Sequence, residues 1–178
     1  MNCWTLRHPP IDRAGKCVGQ AVALCTMTMD AAARTAAESA PFKPVRVVSS
    51  DQPRCADLAR VLAVEWGIGL TLTDRLREMS FGEWDGRLYD DIDQHDRVRW
   101  RAWCDDWKHA SPPGGESLSA FHQRIRLWVE AEEFCPQTAV VTHAGVIRSM
   151  RVLSGMSWDD AMAEQHEYLG WTHHRFGN

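Results

Sequence analysis

Residues 4–10 read WTLRHPP, a short run with strand propensity that ends on Arg7 and His8 and is followed at once by Pro9 and Pro10. Proline fixes its own φ and confines the residue before it to extended conformations. The prolines therefore keep the chain from continuing as a helix and hold His8 at the mouth of a strand. Two side chains that can carry positive charge at a strand end make a candidate anion site.

Further short runs with strand character recur along the chain. The first covers 3–7, and β-branched runs occupy 45–49 and 138–142. Residues 70–73 also favour a strand, and the tail at 167–176 alternates enough to form a last, edge strand. The sequence thus predicts five strands, of which the tail lies at one edge of the sheet.

Helical segments separate these strands. The Ala-rich stretch 21–40 favours a helix, and apolar residues at helical spacing predict helices over 53–66 and after Ser117, which can cap the latter. A polar, Trp-rich insertion occupies about 74–116. Strands that alternate with helices are typical of a parallel sheet covered on both faces. We predict an α/β fold, a three-layer α/β/α sandwich with a mostly parallel central sheet.

The composition limits the classes of protein that remain. The chain has 178 residues, 44% of them hydrophobic, which predicts one domain over 1–178 with its own core. A net charge of -4 and a pI near 6.0 argue against a surface that tracks nucleic acid or membrane lipid. Six cysteines without a CxxC pair, and no leader or membrane-spanning run, predict a reduced, cytoplasmic protein.

Four cationic or imidazole side chains follow predicted strands. Arg7 and His8 end the first strand, Arg54 lies in the loop after the second, and His143 follows the strand at 138–142. In open α/β sheets, ligands bind outside the carboxyl ends of the strands. A single histidine there is usually structural, but the four together favour a phosphate, whose oxygens match the N–H donors of arginine.

Five ordered motifs carry a resemblance to a known family. They are LRHPP at 6–10, SSDQPRCADLA at 49–59, RLREMSFGEWDGR at 75–87, PPGGES at 112–117 and VVTHAGVIR at 140–148. These motifs resemble those of the histidine phosphatase superfamily, also called phosphoglycerate mutase-like. Within it, the chain looks most like the bacterial α-ribazole phosphatase branch.

The resemblance implies a role for each matched residue. His8 is the expected nucleophile that becomes phosphohistidine, and Glu78 is the expected proton donor to the leaving alkoxide. Arg7, Arg54 and His143 are expected to bind the phosphoryl oxygens, with His143 also counted among the catalytic groups. The family chemistry needs no metal and no cofactor. The expected partner is a small phosphorylated metabolite.

The expected activity is that of a metal-independent phosphomonoesterase, with α-ribazole 5'-phosphate in cobalamin biosynthesis as the first substrate. Alternatives are a broad-specificity or fructose-2,6-bisphosphatase-like sugar phosphatase, a phosphoglycerate mutase, and a non-catalytic phospholigand-binding module. The short segment from Glu78 to Gly115 argues against a mutase. A non-catalytic binding module would need neither His8 nor Glu78, and the presence of both residues argues against it. The leaving alcohol is expected to contact the insertion at 74–116, whose conformation the sequence does not predict.

Several conspicuous residues have simpler interpretations. Trp100, Trp103 and Trp107 share one helix face and predict packing at the edge of the substrate pocket.

Adjacent residues of a strand point to opposite faces, so His173 and His174 are a poor zinc site. Arg148 and Arg151 are predicted to be surface or structural residues.

Overall fold

The computed structural model describes residues 1–177 and centres on a five-stranded sheet. The strands are β1 (Asn2–Arg7), β2 (Arg46–Ser50), β3 (Gly69–Thr73), β4 (Thr138–Thr142) and β5 (Trp171–Arg175), in the order β3-β2-β4-β1-β5. The first four strands pair in parallel, and β5 pairs antiparallel with β1 at the edge. The predicted mostly parallel sheet and the edge position of the tail are confirmed.

Helices cover both faces of the sheet. They are α1 (Met29–Glu38), α2 (Pro53–Trp66), α3 (Tyr89–His95), α4 (Arg97–Asp105), α5 (Leu118–Ala131), α6 (Ala144–Leu153) and α7 (Trp158–Ala163). Val47 packs with α1 and α2 on one face, while its neighbour Val48 packs with α5 and α6 on the other. This alternation is the period-2 burial of a strand covered on two sides. The three-layer prediction is confirmed.

Local sequence signals set the bounds of α2 and α5. Pro53 occupies the first turn of α2, where its missing N–H costs no hydrogen bond, and Gly67 ends the helix in the left-handed region at φ 64°. The Ser117 side chain caps α5 by accepting a hydrogen bond from the backbone N–H of Ala120. Both helices match their predicted positions.

The predicted helix over 21–40 is wrong over residues 21–28. Helix α1 begins only at Met29, behind a Thr28 cap. The preceding loop is held by tertiary hydrogen bonds, because Arg54 donates to the backbone carbonyl oxygens of Gly19 and Ala21. Those bonds outweigh the helix propensity of the alanines.

The insertion at 74–116 folds around its own small core. It contains two 3-10 turns (Asp74–Leu76 and Gly82–Trp84) and the helices α3 and α4. Trp84 is fully buried there, and Trp100 and Trp103 pack against it. The predicted packing role of Trp100 and Trp103 is confirmed. Trp107 lies beyond the end of α4, so the prediction that it shares their helix face is wrong; its ring packs against Trp158 instead.

The two adjacent histidines of β5 have different surroundings. The His173 ring lies 4.7 Å from the ring of Trp4, whereas His174 is fully buried and forms a 2.9 Å hydrogen bond with Thr5 Oγ1. Over residues 1–177, no helix is long and apolar enough to cross a bilayer.

Candidate active site

The carboxyl ends of β1, β2 and β4 bring the predicted site residues together. Arg7 and His8 end β1, Arg54 lies in the first turn of α2 after β2, and His143 directly follows β4. The rings of His8 and His143 lie 5.2 Å apart, and Arg54 Nε donates to His143 Nδ1 over 3.2 Å. The four side chains form one cluster at the edge predicted from the sequence.

His8 is held in one tautomer. Its Nδ1 lies 2.7 Å from the carbonyl oxygen of Pro9, which can only accept, so Nδ1 carries the proton and Nε2 carries the lone pair. The backbone N–H of His8 donates to the carbonyl of Thr142, which fixes the residue to the end of β4. Burial, and then the charge of Arg54, lower the pKa of His8 to about 3. The imidazole is therefore neutral near pH 7.

Arg54 is buried, and its guanidinium donates to four partners. Besides His143, it donates through Nη1 to the carbonyl of Ala21 at 3.1 Å, and through Nη2 to the carbonyl of Gly19 at 2.7 Å and to Gln52 Oε1 at 3.5 Å. Nη1 keeps a second N–H. Arg54 also lines the central cavity, so this N–H group can serve a ligand.

His143 is fully buried and engaged through both ring nitrogens. Because Arg54 Nε can only donate, His143 Nδ1 accepts, and the protonated Nε2 donates to Ser50 Oγ at 3.0 Å. Burial, with the charge of Arg54, holds the pKa of His143 well below its usual range. Its predicted contact with phosphoryl oxygens stays a prediction, since a ligand there would have to take the place of Ser50.

The carboxylate of Glu78 is fixed at the first turn of α6. Its Oε2 accepts from the backbone N–H of Gly145 at 3.1 Å, and its Oε1 accepts from the N–H of Met79 at 3.0 Å. A Cβ at position 145 would lie 2.1 Å from Glu78 Oε1, so the glycine permits this approach. These two backbone hydrogen bonds fix the carboxyl group in the cavity lining.

Arg7 reaches the cavity from the end of β1. Its Nη1 donates to the carbonyl oxygen of His166, and its guanidinium carbon lies 3.8 Å from the centre of the Tyr168 ring. Within residues 1–177, its buried Nε has no hydrogen-bond partner. Most of its N–H groups are thus not used by the protein.

Arg7, His8, Arg54 and Glu78 line a cavity of about 510 Å³, whereas the fully buried His143 is not part of its lining. Much of its wall is aromatic and comes partly from the insertion; these residues are Phe81, Tyr89, Trp103, Trp107, Phe121, Trp158 and Tyr168. The volume leaves room for a leaving group beside a phosphoryl group.

The charges in the lining are strongly unbalanced. Four arginines line the cavity (Arg7, Arg13, Arg54 and Arg148), whereas Glu78 is the one carboxylate of the lining in the described part of the chain. The overall charge of the protein is negative, so this positive region is local.

The sequence missed two cavity residues. Arg148 was expected to be surface or structural, yet it lines the cavity, while Arg151 pairs with Glu164 as expected of a structural residue. A signal existed for Arg148, because it lies one turn beyond Ala144 on the same face of α6. Tyr168 had no signal, since it reaches the site only through the pairing of β5 with β1.

Metal-ligating side chains are sparse around this region. No group of three or more His, Cys, Asp or Glu side chains in residues 1–177 is arranged to hold a metal ion.

An α/β fold with a cluster of two histidines, two arginines and one glutamate at the ends of parallel strands can be compared with known protein families by sequence. The chain belongs to the histidine phosphatase superfamily (branch 1), whose sequence profile matches residues 4–178. The resemblance inferred from the motifs is confirmed.

Several relatives carry more particular names. An adenosylcobalamin/alpha-ribazole phosphatase of Salmonella typhimurium is 31% identical over 143 residues, which are 79% of this chain and 65% of the relative. The Escherichia coli protein of the same name is 35% identical over 104 residues, or 57% of this chain and 51% of the relative. The aligned regions therefore span less than two thirds of these relatives.

Solved structures agree with the fold. An alpha-ribazole phosphatase from Shigella flexneri superimposes with a TM-score of 0.83 at 26% identity, over 97% of this chain and 89% of that one. A mycobacterial glucosyl-3-phosphoglycerate phosphatase superimposes with a TM-score of 0.78 at 25% identity, over 97% and 88% of the two chains.

Proposed function

We propose that the protein is a phosphomonoesterase that works without a metal ion and forms a phosphohistidine at His8. The observation that carries this proposal is the neutral His8 ring. Its Nδ1–H donates a hydrogen bond to the carbonyl of Pro9, which leaves the lone pair of Nε2 for attack on phosphorus. Membership of the histidine phosphatase superfamily supports it.

In the first step, the lone pair of His8 Nε2 attacks phosphorus. An N–P bond forms, the P–O bond to the alcohol breaks, and the protonated carboxyl of Glu78 gives its proton to the leaving oxygen. In the second step, water attacks phosphorus while Glu78 takes its proton. The N–P bond breaks, inorganic phosphate leaves, and the enzyme is restored.

The arginines stabilise the charge on the transferring group. Arg7 and Arg54 line the cavity beside His8, and both retain N–H groups that the protein does not use. Guanidinium groups fixed before the reaction stabilise phosphoryl oxygens without reorganisation cost. His143 contributes by holding Arg54 through its Nδ1, and contacts the phosphoryl group itself if Ser50 releases Nε2.

The first candidate substrate is α-ribazole 5'-phosphate, as part of cobalamin biosynthesis. It is supported by the names of the Salmonella and E. coli relatives. The aromatic wall of the cavity, with Trp103 and Trp107 from the insertion, offers flat apolar surfaces for a heteroaromatic base.

A second candidate is a phosphate ester of a sugar acid, and the arginines favour it. Outside the cavity, arginines such as Arg46, Arg124 and Arg151 pair with carboxylates. Arg148, in contrast, has no hydrogen bond and no ion pair with any of residues 1–177, and its buried Nε lacks a partner. A second acidic group on the substrate would satisfy it. A glucosyl-3-phosphoglycerate phosphatase of Mycobacterium tuberculosis is 31% identical over 119 residues, or 61% of this chain and 53% of the relative.

The proposed function is tested at the nucleophile. His8→Ala should abolish release of phosphate from aryl and alkyl phosphates, because His8 is the one imidazole of the cavity lining in the described residues. Wild-type turnover should survive exhaustive chelation, since the arginines supply the positive charge.

The matched control is His95→Ala, which removes an exposed histidine of α3 and should leave turnover unchanged. Near wild-type turnover by His8→Ala would refute the phosphohistidine mechanism. Loss of wild-type activity on chelation, with recovery on adding a divalent ion, would refute its independence of metals.

The proton donor is tested by leaving-group dependence. Glu78→Gln keeps the size of the side chain but cannot give up a proton, so kcat/KM for an alkyl phosphate should fall by roughly 10² to 10⁴. An aryl phosphate with an acidic phenol leaves without protonation and should lose far less. The exposed Glu83→Gln on the same segment is the control. Equal losses on both esters would remove Glu78 from the acid role.

The substrate candidates are separated by kcat/KM for α-ribazole 5'-phosphate and glucosyl-3-phosphoglycerate in the wild type and in Arg148→Gln. If the sugar acid is the substrate, it reacts faster in the wild type, and Arg148→Gln slows it selectively by roughly 10- to 100-fold through loss of a charged hydrogen bond. If α-ribazole 5'-phosphate is the substrate, the preference reverses and Arg148→Gln affects the two esters alike. Arg34→Gln, which removes an exposed charge on α1, controls for net charge.

A further inference from the structure

The loop between α7 and β5 is fixed to the end of β1. The backbone N–H of Leu169 donates to the carbonyl of Arg7 at 3.1 Å, and the N–H of Arg7 donates to the carbonyl of Gly170 at 3.2 Å. These two bonds continue the antiparallel pairing of β1 with β5 up to the residue that enters the cavity. Movement of this loop would therefore move Arg7.

The same loop holds a strained residue. Leu169 adopts the left-handed conformation at φ 58°, which is costly for a side chain branched beyond Cβ, and it is buried. Gly170 closes the turn by donating to the carbonyl of Glu167 at 3.1 Å. A strained backbone conformation persists where its surroundings hold it in place. The strained residue, Leu169, directly follows Tyr168.

The ring of Tyr168 lies against the guanidinium of Arg7. The guanidinium carbon lies 3.8 Å from the centre of the Tyr168 ring, a distance at which a planar cation is attracted to an aromatic face. Arg7 Nη1 donates to the carbonyl of His166, while its buried Nε finds no acceptor in the described chain. The ring therefore contacts the guanidinium without using its N–H groups.

Tyr168 also borders the proposed nucleophile. Its ring centre lies 5.5 Å from that of His8, and it is part of the cavity lining. One side chain thus contacts both the proposed phosphate-binding arginine of β1 and the histidine beside it.

We propose that Tyr168 is a positioning residue, which holds the guanidinium of Arg7 in the orientation that receives the phosphoryl oxygens. This inference rests on the proposed function in one respect, namely that Arg7 binds the phosphoryl group. The carbonyl of His166 anchors one terminal nitrogen and the ring of Tyr168 contacts the guanidinium carbon, so the other terminal nitrogen is left without a hydrogen-bond partner among residues 1–177.

The experiment measures the Kd of inorganic phosphate, which requires no turnover. Tyr168→Phe keeps the aromatic face and should bind phosphate within about 2-fold of the wild type. Tyr168→Leu and Tyr168→Gln lose that face and should weaken binding by about 3- to 30-fold. In an Arg7→Met background, where no guanidinium needs orienting, the same Tyr168 substitutions should have no further effect.

The control is Tyr89→Leu, since Tyr89 is the other tyrosine of the cavity wall and contacts Arg13 instead of Arg7. Its effect on the Kd should be the same with and without Arg7→Met. The inference is overturned if Tyr168→Phe weakens binding as much as Tyr168→Leu, or if the loss persists in Arg7→Met. Failure of this inference can be told apart from failure of the proposed function, because the Kd of phosphate is measured without hydrolysis. A wild type that hydrolyses no ester would refute the function, while the dependence of the Tyr168 effect on Arg7 could still be measured.

Discussion

The buried guanidinium of Arg54 joins three segments that are far apart in sequence. It donates to His143 after β4 and to the carbonyls of Gly19 and Ala21 in the loop after β1, while its own backbone begins α2 after β2. Without these bonds, that loop would be free to extend α1 and the cavity would lose one wall. The same contacts set the tautomer of His143 and hold a positive charge beside His8, which adds to the effect of burial in lowering the pKa of that ring. Site geometry and site electrostatics thus depend on one side chain.

Among residues 1–177, Arg7 and Arg54 have no carboxylate partner in the cavity, and other contacts offset part of the free energy that their burial costs. A buried guanidinium without a carboxylate loses hydration, and the protein returns part of that energy through backbone carbonyls and aromatic faces. Arg54 uses carbonyls, and Arg7 uses one carbonyl and the ring of Tyr168. Neither type of partner neutralises the charge. The arginines therefore stay available for an anion, as the proposed phosphoryl transfer requires.

The sequence predicted what depends on local pattern. Helix α2 was predicted at its observed bounds from apolar residues at helical spacing, and Pro53 and Gly67 mark both of its ends. The site cluster followed from the rule that parallel strands end at one edge. The loop before Met29 was mistaken for helix because its conformation depends on Arg54, some thirty residues away in sequence. Tyr168 was missed for the same reason, since only the β5–β1 pairing brings it to the site. Contacts between distant segments leave little trace in local composition.

The most direct test of the central claim is to trap the intermediate. The protein should be mixed with an aryl phosphate labelled in its phosphoryl group, quenched in alkali within one turnover and digested, and the labelled peptide should be sequenced by mass spectrometry. The expected result is one phosphoryl group per chain at His8, stable in alkali and released in acid, with none in His8→Ala. Turnover that proceeds with no labelled peptide under any quench, or a label on another residue, would contradict it.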